Sequence, residues 1–408
     1  MTPAGRALRG ITWDHPRGYA ALAELERLDA AADTRYGAVP APLTWDRQPL
    51  AGFESAPIAG HCGLAGRYDV LVVDHPGLGR ARAALRPLDE LFGPAELAAW
   101  AAATVGPSFG SYRYAGRQWA LPLDAAAQIC VVRPDMVGDL PPPATWQEVA
   151  GLARQVPLAL MLGGPHALLA LLAICAAQRT PPVAETGDGS PAGGFAEDAA
   201  ARDAVLAALE LLAELCARTN LGLAAGNPVD VLEAMAVTDA AACCPLVYGY
   251  VTYSQPSRHP HRLAAANAPA WQPGGRPGSV LGGTGLAVSS RIADDNIDTA
   301  RAHLRRLLAE PVQAELVPRA GGQPASRAAW ESDVVNAASG GFYQQTRATL
   351  DQAWVRPRFC GWIAFQDEGS AIVRDGLRRG ASHLKTLRRL QAAFRGRCIV
   401  GRTAAAVR

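Results

Sequence analysis

Two copies of Asp-His-Pro, Asp14-His15-Pro16 and Asp74-His75-Pro76, are the first candidates for chemistry in this sequence. Each follows a short apolar run that reads as a strand and precedes a stretch that reads as a helix. An imidazole flanked by a carboxylate can orient a hydroxyl group, move a proton or hold a divalent metal. The same residues also suit purely local roles. Aspartate caps a helix start, proline fits the first turn, and histidine can donate to a backbone carbonyl. The spacing matches no known metal motif, so neither a metal ion nor a cofactor is expected. Arg17 stands where the first helix begins. There its guanidinium either joins the backbone N–H groups in holding an anion or is one exposed arginine among many. Asp46 follows the next strand-like run. Ligands of open α/β sheets lie beyond the carboxyl ends of the strands, so these loops are expected to face one cleft.

The second half of the chain adds candidates of a different kind. Gly163-Gly164-Pro165-His166 joins a strand-like run to a helix. Small residues there let a ligand approach the helix N-terminus, with His166 pointing at it or serving as a structural residue. Tyr248, Tyr250 and Tyr253 follow another strand. Aromatic faces of this sort stack on sugar or planar rings, and one of the three is expected to line a site while the others pack. Gly282-Gly283-Thr284-Gly285 is too loose for a dinucleotide fingerprint because it leads into a strand. It reads as hinge backbone from which Thr284 can donate to a ligand. Gln323 follows the Gly321-Gly322 turn and can reach a cleft rim, while Arg356 and Arg358 are either anion contacts or surface charges. The chain has no nucleophile elbow, P-loop, HExxH or Ser-His-Asp signature.

The elements that must position these residues alternate from the start. Residues 8–13, 39–45 and 68–74 read as strands, with a helix over 19–34 whose leucines at 22, 25 and 28 fall at helical spacing. The run Val70-Leu71-Val72-Val73 lacks alternation, as in a strand covered on both faces. This order implies parallel strands with crossover helices. Further on, residues 129–133, 157–162, 240–248 and 280–289 read as strands, and 165–177, 203–216, 230–236 and 298–308 as helices. The tail from about Trp330 is mostly helical and carries most of its charge on arginine.

Composition sets outer limits. Of 408 residues, 49% are hydrophobic and 19% charged, which excludes a disordered chain. A net charge of +2 offers no broad basic surface to nucleic acid or an anionic membrane. The eight cysteines include no CxxC pair and mostly sit in apolar runs, reading as buried thiols. There is no apolar leader ahead of the first strand and no uninterrupted apolar segment that would cross a bilayer. A cytoplasmic location is therefore expected, with the periplasm as the alternative if an upstream signal has been removed.

Several segments together resemble the extracellular solute-binding proteins of carbohydrate-type ABC transporters. Tyr114-Ala-Gly-Arg-Gln-Trp-Ala-Leu-Pro-Leu-Asp124 is similar to that family's Y-x-G-K-x-Y-G-V-P-x-D crossing. Arg133-Pro-Asp-Met136 with Pro143-Ala-Thr-Trp-Gln-Glu148 is similar to its N-K-D-L and P-x-T-W-D-E segments. Residues 235–253, Gly282-Gly-Thr-Gly-Leu-Ala-Val288 and residues 313–323 resemble further stretches in the same order. The resemblance implies an α/β, two-lobed type II periplasmic-binding-protein fold with a ligand cleft between the lobes. Lobe 1 would comprise residues 1–123 plus 281–330, lobe 2 residues 124–280, and the C-terminal helices of 331–408 would pack across both. The crossings near Pro122-Leu123-Asp124 and residues 277–282 would form a hinge about which the lobes close. Asp124, just past the first crossing, either lines the cleft or caps the next element.

The expectation is a protein that binds a small polar or anionic metabolite without changing it. One alternative is an enzyme on the same fold using Asp14, His15, Asp74 and His75 as acid and base. The other is a transporter receptor, whose partner would be an ABC permease if the chain is exported. No nucleic acid and no membrane insertion are expected.

Overall fold

In the computed structural model, which describes residues 7–49, 67–219 and 221–406, the opening alternation of strand and helix folds as a parallel sheet. Strand β1 (Leu8–Trp13) runs parallel to β2 (Leu43–Gln48) on one side and to β3 (Val70–Val73) on the other. Helix α1 (Pro16–Ala30) buries Leu22, Leu25 and Leu28, the leucines whose spacing marks it in the sequence. The second strand lies a few residues later than residues 39–45. Its ladder begins only where Leu8 donates to Pro42 O, because prolines at 40 and 42 have no N–H to offer. Cys62 lies outside the described residues; the seven others are free thiols.

Strand β4 (Leu121–Val132) is buried along all of its 12 residues. The sequence signals only its far end, residues 129–133, because Pro122 and the alanines at 125–127 read as neither strand nor helix. Helix α2 (Trp146–Leu152) starts at a capping box in which Thr145 and Glu148 bond reciprocally to each other's backbone N–H. That box is the physical content of the Pro143-Ala-Thr-Trp-Gln-Glu148 motif. Residues 157–162 do not extend as a strand: Leu158 alone bridges, parallel to Thr219 and to Cys243. Helix α3 (His166–Ala177) is buried on every face. It is hydrophobic all round because it packs against both α4 (Ala199–Cys216) and a later helix. Its five leucine and isoleucine side chains are each at most 1% exposed and contribute roughly 1.5–3 kcal/mol apiece.

Helix α5 (Pro228–Val237) follows an Asn227–Asp230 capping box and leads into β5 (Cys243–Tyr248). β5 and the short β6 (Ala264–Ala266) both pair antiparallel with β4. β7 (Leu281–Ser289) runs antiparallel to β3, setting Gly285 opposite Val73 and Val288 opposite Val70. Helix α6 (Ile297–Leu308) follows. The chain ends in α7 (Trp362–Arg379), which packs on α3, and α8 (His383–Ala406), which packs on α7 and α4.

The chain divides into two compact units. The first comprises residues 1–125, 187–189 and 283–335; the second comprises 126–186, 190–282 and 336–408. The crossing points fall within β4, after Ala125, and at the start of β7, after Gly282. The C-terminal segment from Asn336 onward falls within the second unit. The physical reason is apolar: Trp362, Phe365, Val373, Leu390 and Phe394 join the core cluster that contains α3 and α4. Among the described residues no helix is long and apolar enough to cross a membrane.

Candidate functional site

In the first unit, the loop beyond β1 meets the start of β4, and the loop beyond β3 makes contacts of its own. His15, and not Asp14, caps α1: its Nδ1 accepts the Arg17 N–H at 3.1 Å. The ring stacks on Trp13 at 5.3 Å between centroids, with 12° between the planes. Asp14 is left on the surface, its side chain 58% exposed and 3.7 Å from Arg47. Arg17 does not stand open to an anion. Its Nε and Nη2 donate to Asp124 at 2.8 and 2.6 Å, and both side chains are about 5% exposed. Gly18 is required here, because a Cβ would lie 2.3 Å from the Trp13 indole.

Asp74 caps the short turn His75–Gly77 by accepting the His75 N–H at 2.8 Å. The His75 imidazole is fully buried, 3.2 Å from the Asp74 carboxylate and edge-on to Tyr112. Tyr112, unsignalled in the sequence, donates to Val73 O and Gly283 O and leaves no room for a Cβ at Gly285. Thr284 is buried within β7 beside it.

Asp46 lies elsewhere. It sits inside β2 opposite Ile11 instead of beyond the strand, because the strand extends to Gln48. It accepts from Tyr68 at 2.9 Å and Arg9 at 2.6 Å, and these bonds hold its carboxyl below the usual range.

Gln323 is buried and brackets Ala125 through both its side chain and its backbone carbonyl. Gln313, which sequence reasoning marked only as part of a motif, does more. From a π-helical turn (Val312–Leu316) it donates to Leu123 O and Leu307 O and accepts from Ala325 N–H and Ser326 N–H. These amides fix where Asp124 emerges.

In the second unit, His166 is the first residue of α3 and 2% exposed. Neither ring nitrogen has a hydrogen-bond partner among the described residues. Burial, with Arg356 and Arg374 nearby, pushes its pKa down to about 3, so the imidazole is neutral at ordinary pH. Its ring lies 6.0 Å from that of Tyr248. Tyr248 is the register partner of Gln128 on β4, so the two side chains share a face of the sheet. Gln128 is fully buried, and its amide nitrogen and oxygen also lack partners among the described residues. No motif marks Gln128; the clue is a lone amide in the apolar run Ala125-Ala126-Ala127-Gln128-Ile129.

The start of α3 is held by α7. Ser370 donates to Pro165 O and accepts the Leu168 N–H, and Arg374 donates to Leu162 O and Gly164 O. Arg356 donates to Gln366 at 3.2 Å, and Arg358 is paired with Glu185. Tyr250 is buried at the turn after β5. Tyr253 donates to Glu233 and stacks on His259, 4.4 Å away.

No family profile matches the sequence, and no curated protein does. Solved structures match along nearly the whole chain. Maltose-bound MalE3 of T. maritima superimposes with a TM-score of 0.78 at 16% identity, over 95% of this chain and 99% of that one. An ABC transporter solute-binding protein of Agrobacterium radiobacter in complex with ribitol gives 0.75 at 19%, over 96% and 99%. UgpB of Mycobacterium tuberculosis in complex with glycerophosphocholine gives 0.72 at 17%, over 96% and 98%. At these identities the likeness is one of fold: this chain has the α/β type II periplasmic-binding-protein fold expected from its motifs.

Proposed function

We propose that this chain is a solute-binding protein that reversibly holds a small, neutral, polyhydroxylated molecule and releases it unchanged. The observation that carries this reading is the pairing of His166 and Gln128 around Tyr248, four buried polar atoms with no partner among the described residues. Buried polar groups are hydrogen-bonded in the great majority of cases, so such a set calls for a ligand or water. A neutral imidazole and an amide each donate and accept, which matches hydroxyl groups, and a tyrosine face suits the C–H side of a sugar or polyol. Arg17, one candidate for holding an anion, is occupied by Asp124, which removes one reason for an acidic ligand. The structural neighbours include proteins bound to maltose, ribitol and mannitol, which supports the same class.

Isothermal titration against maltose, ribitol, mannitol and glycerophosphocholine, followed by mass spectrometry of ligands retained from a host extract, tests this. Recovery of a neutral polyol or sugar unchanged is the expected result; exclusive retention of acids would overturn it. Q128A and H166A should each weaken binding roughly 10- to 100-fold, the loss of one or two buried hydrogen bonds. His15→Ala and His75→Ala test the first unit in the same titration. Because His166 is neutral throughout, affinity should stay flat from about pH 5 to 8.

In this reading an ABC permease is the partner. The cytoplasmic location expected from the sequence gains no support from the neighbours, which favour the exported alternative. The enzyme alternative rests on the contact between His75 and Asp74. It requires a product that accumulates over many turnovers and disappears in the His15→Ala/His75→Ala double variant.

A further inference from the structure

The chain's +2 net charge conceals a strong asymmetry. After Asp375 there are nine lysine and arginine residues and no aspartate or glutamate. Everything before that point is therefore net acidic. Most of this basic segment is α8, whose inner face is occupied: Leu387, Leu390 and Phe394 are buried in the second unit's core. Elsewhere on the surface Arg27, Arg35, Arg117, Arg301, Arg305 and Arg347 are each within hydrogen-bonding distance of a carboxylate. Near α8 the available carboxylates are already taken, Asp375 by Arg379 and Arg389 and Glu368 by Arg397.

That leaves Lys385, Arg388 and Arg395, exposed and with no carboxylate partner among the described residues. Positions 385, 388, 392 and 395 are spaced three, four and three, which places them on one helical face. Position 392 is alanine and the neighbouring 396 is glycine, both exposed, so the long side chains stand clear of obstruction. The row from Lys385 to Arg395 is about 15 Å long at the helical rise per residue. Leu384, 46% exposed, sits at the head of the row.

We propose that this face of α8 binds the surface of an anionic lipid bilayer, laying the row of positive charges along the headgroups without inserting the helix. The apolar face of α8 is committed to the protein core, so attraction must come from charge with at most a small contribution from Leu384. An exposed apolar side chain beside the charges fits a lipid interface better than a phosphodiester backbone. The face also has little with which to read bases: Gln391 donates to Ala196 O, and Phe394 is buried. A basic residue close to an anionic membrane contributes roughly fivefold to partitioning, so the three of the row contribute roughly a hundred-fold.

The test is sedimentation of the full chain with vesicles of phosphatidylcholine alone and of phosphatidylcholine mixed with phosphatidylglycerol. Binding is expected with the mixed vesicles only, and should be lost as salt is raised. The K385Q/R388Q/R395Q variant should lose roughly a hundred-fold of it while keeping its thermal unfolding midpoint. A charge-matched control, R27Q/R35Q/R258Q, should retain binding. Equal loss in the control would overturn the proposal by assigning the effect to net charge. Equal binding to neutral vesicles, or preferential capture by duplex DNA when both are present, would overturn it too.

Discussion

Replacing Asp124 by alanine should lower the unfolding free energy by roughly 3–5 kcal/mol, the cost of leaving a buried partner uncompensated. Asp124 and Arg17 form a two-point ion pair about 5% exposed, so the guanidinium left behind by D124A has little access to water. A surface pair of the same composition would contribute at most about 1 kcal/mol. The double variant R17M/D124L should recover most of the loss, because apolar residues of similar volume remove both desolvation costs at once. Urea denaturation of the ligand-free protein measures both. A D124A loss under about 1 kcal/mol would mean that the pair is hydrated, and Arg17 would then again be open to an anionic ligand.

The second large effect is a pH dependence of stability centred on His166. Its pKa is about 3 in the folded protein and the ordinary 6.5 once unfolding exposes it. The unfolded chain therefore binds a proton that the folded chain refuses. Above pH 6.5 the term vanishes; it grows as pH falls through the window from 6.5 to about 3. Between pH 7 and pH 4 it should remove roughly 3 kcal/mol of stability. Burial lowers His303 and His259 as well, so the wild-type curve contains several such terms. The difference between wild type and H166Q isolates the one of interest. If the two stability curves run parallel from pH 7 to 4, His166 is not desolvated, and a ligand role built on its neutrality fails.

Much of the fold was legible because it depends on local chemistry. The leucines of α1, the apolar run of β3 and the Pro165 entry to α3 are each specified within a few neighbouring residues. The site was legible only in part. Both Asp-His-Pro loops lie at strand ends, yet His15 rather than Asp14 took the α1 cap, since its Nδ1 reaches the Arg17 N–H. Asp46 was misplaced because two prolines shift the β2 ladder downstream, carrying it into the strand. Tyr112 was missed because nothing near it in sequence sets it apart, and Gln128 because a lone amide in an apolar run signals burial without saying what the amide meets.

The sequence by itself determined the opening alternation of strand and helix, the resemblance to a known fold and the His166 position at a helix N-terminus. Those follow from periodicity, caps and turn residues, which act over a turn or two of chain. Only the tertiary structure decided which charges are free. Arg17 is cancelled by a carboxylate 107 positions away, and Arg358 by Glu185, 173 positions away. Lys385, Arg388 and Arg395 have no such partner among the described residues. Charge pairing and desolvation depend on distance in space, and the linear order of residues does not contain it.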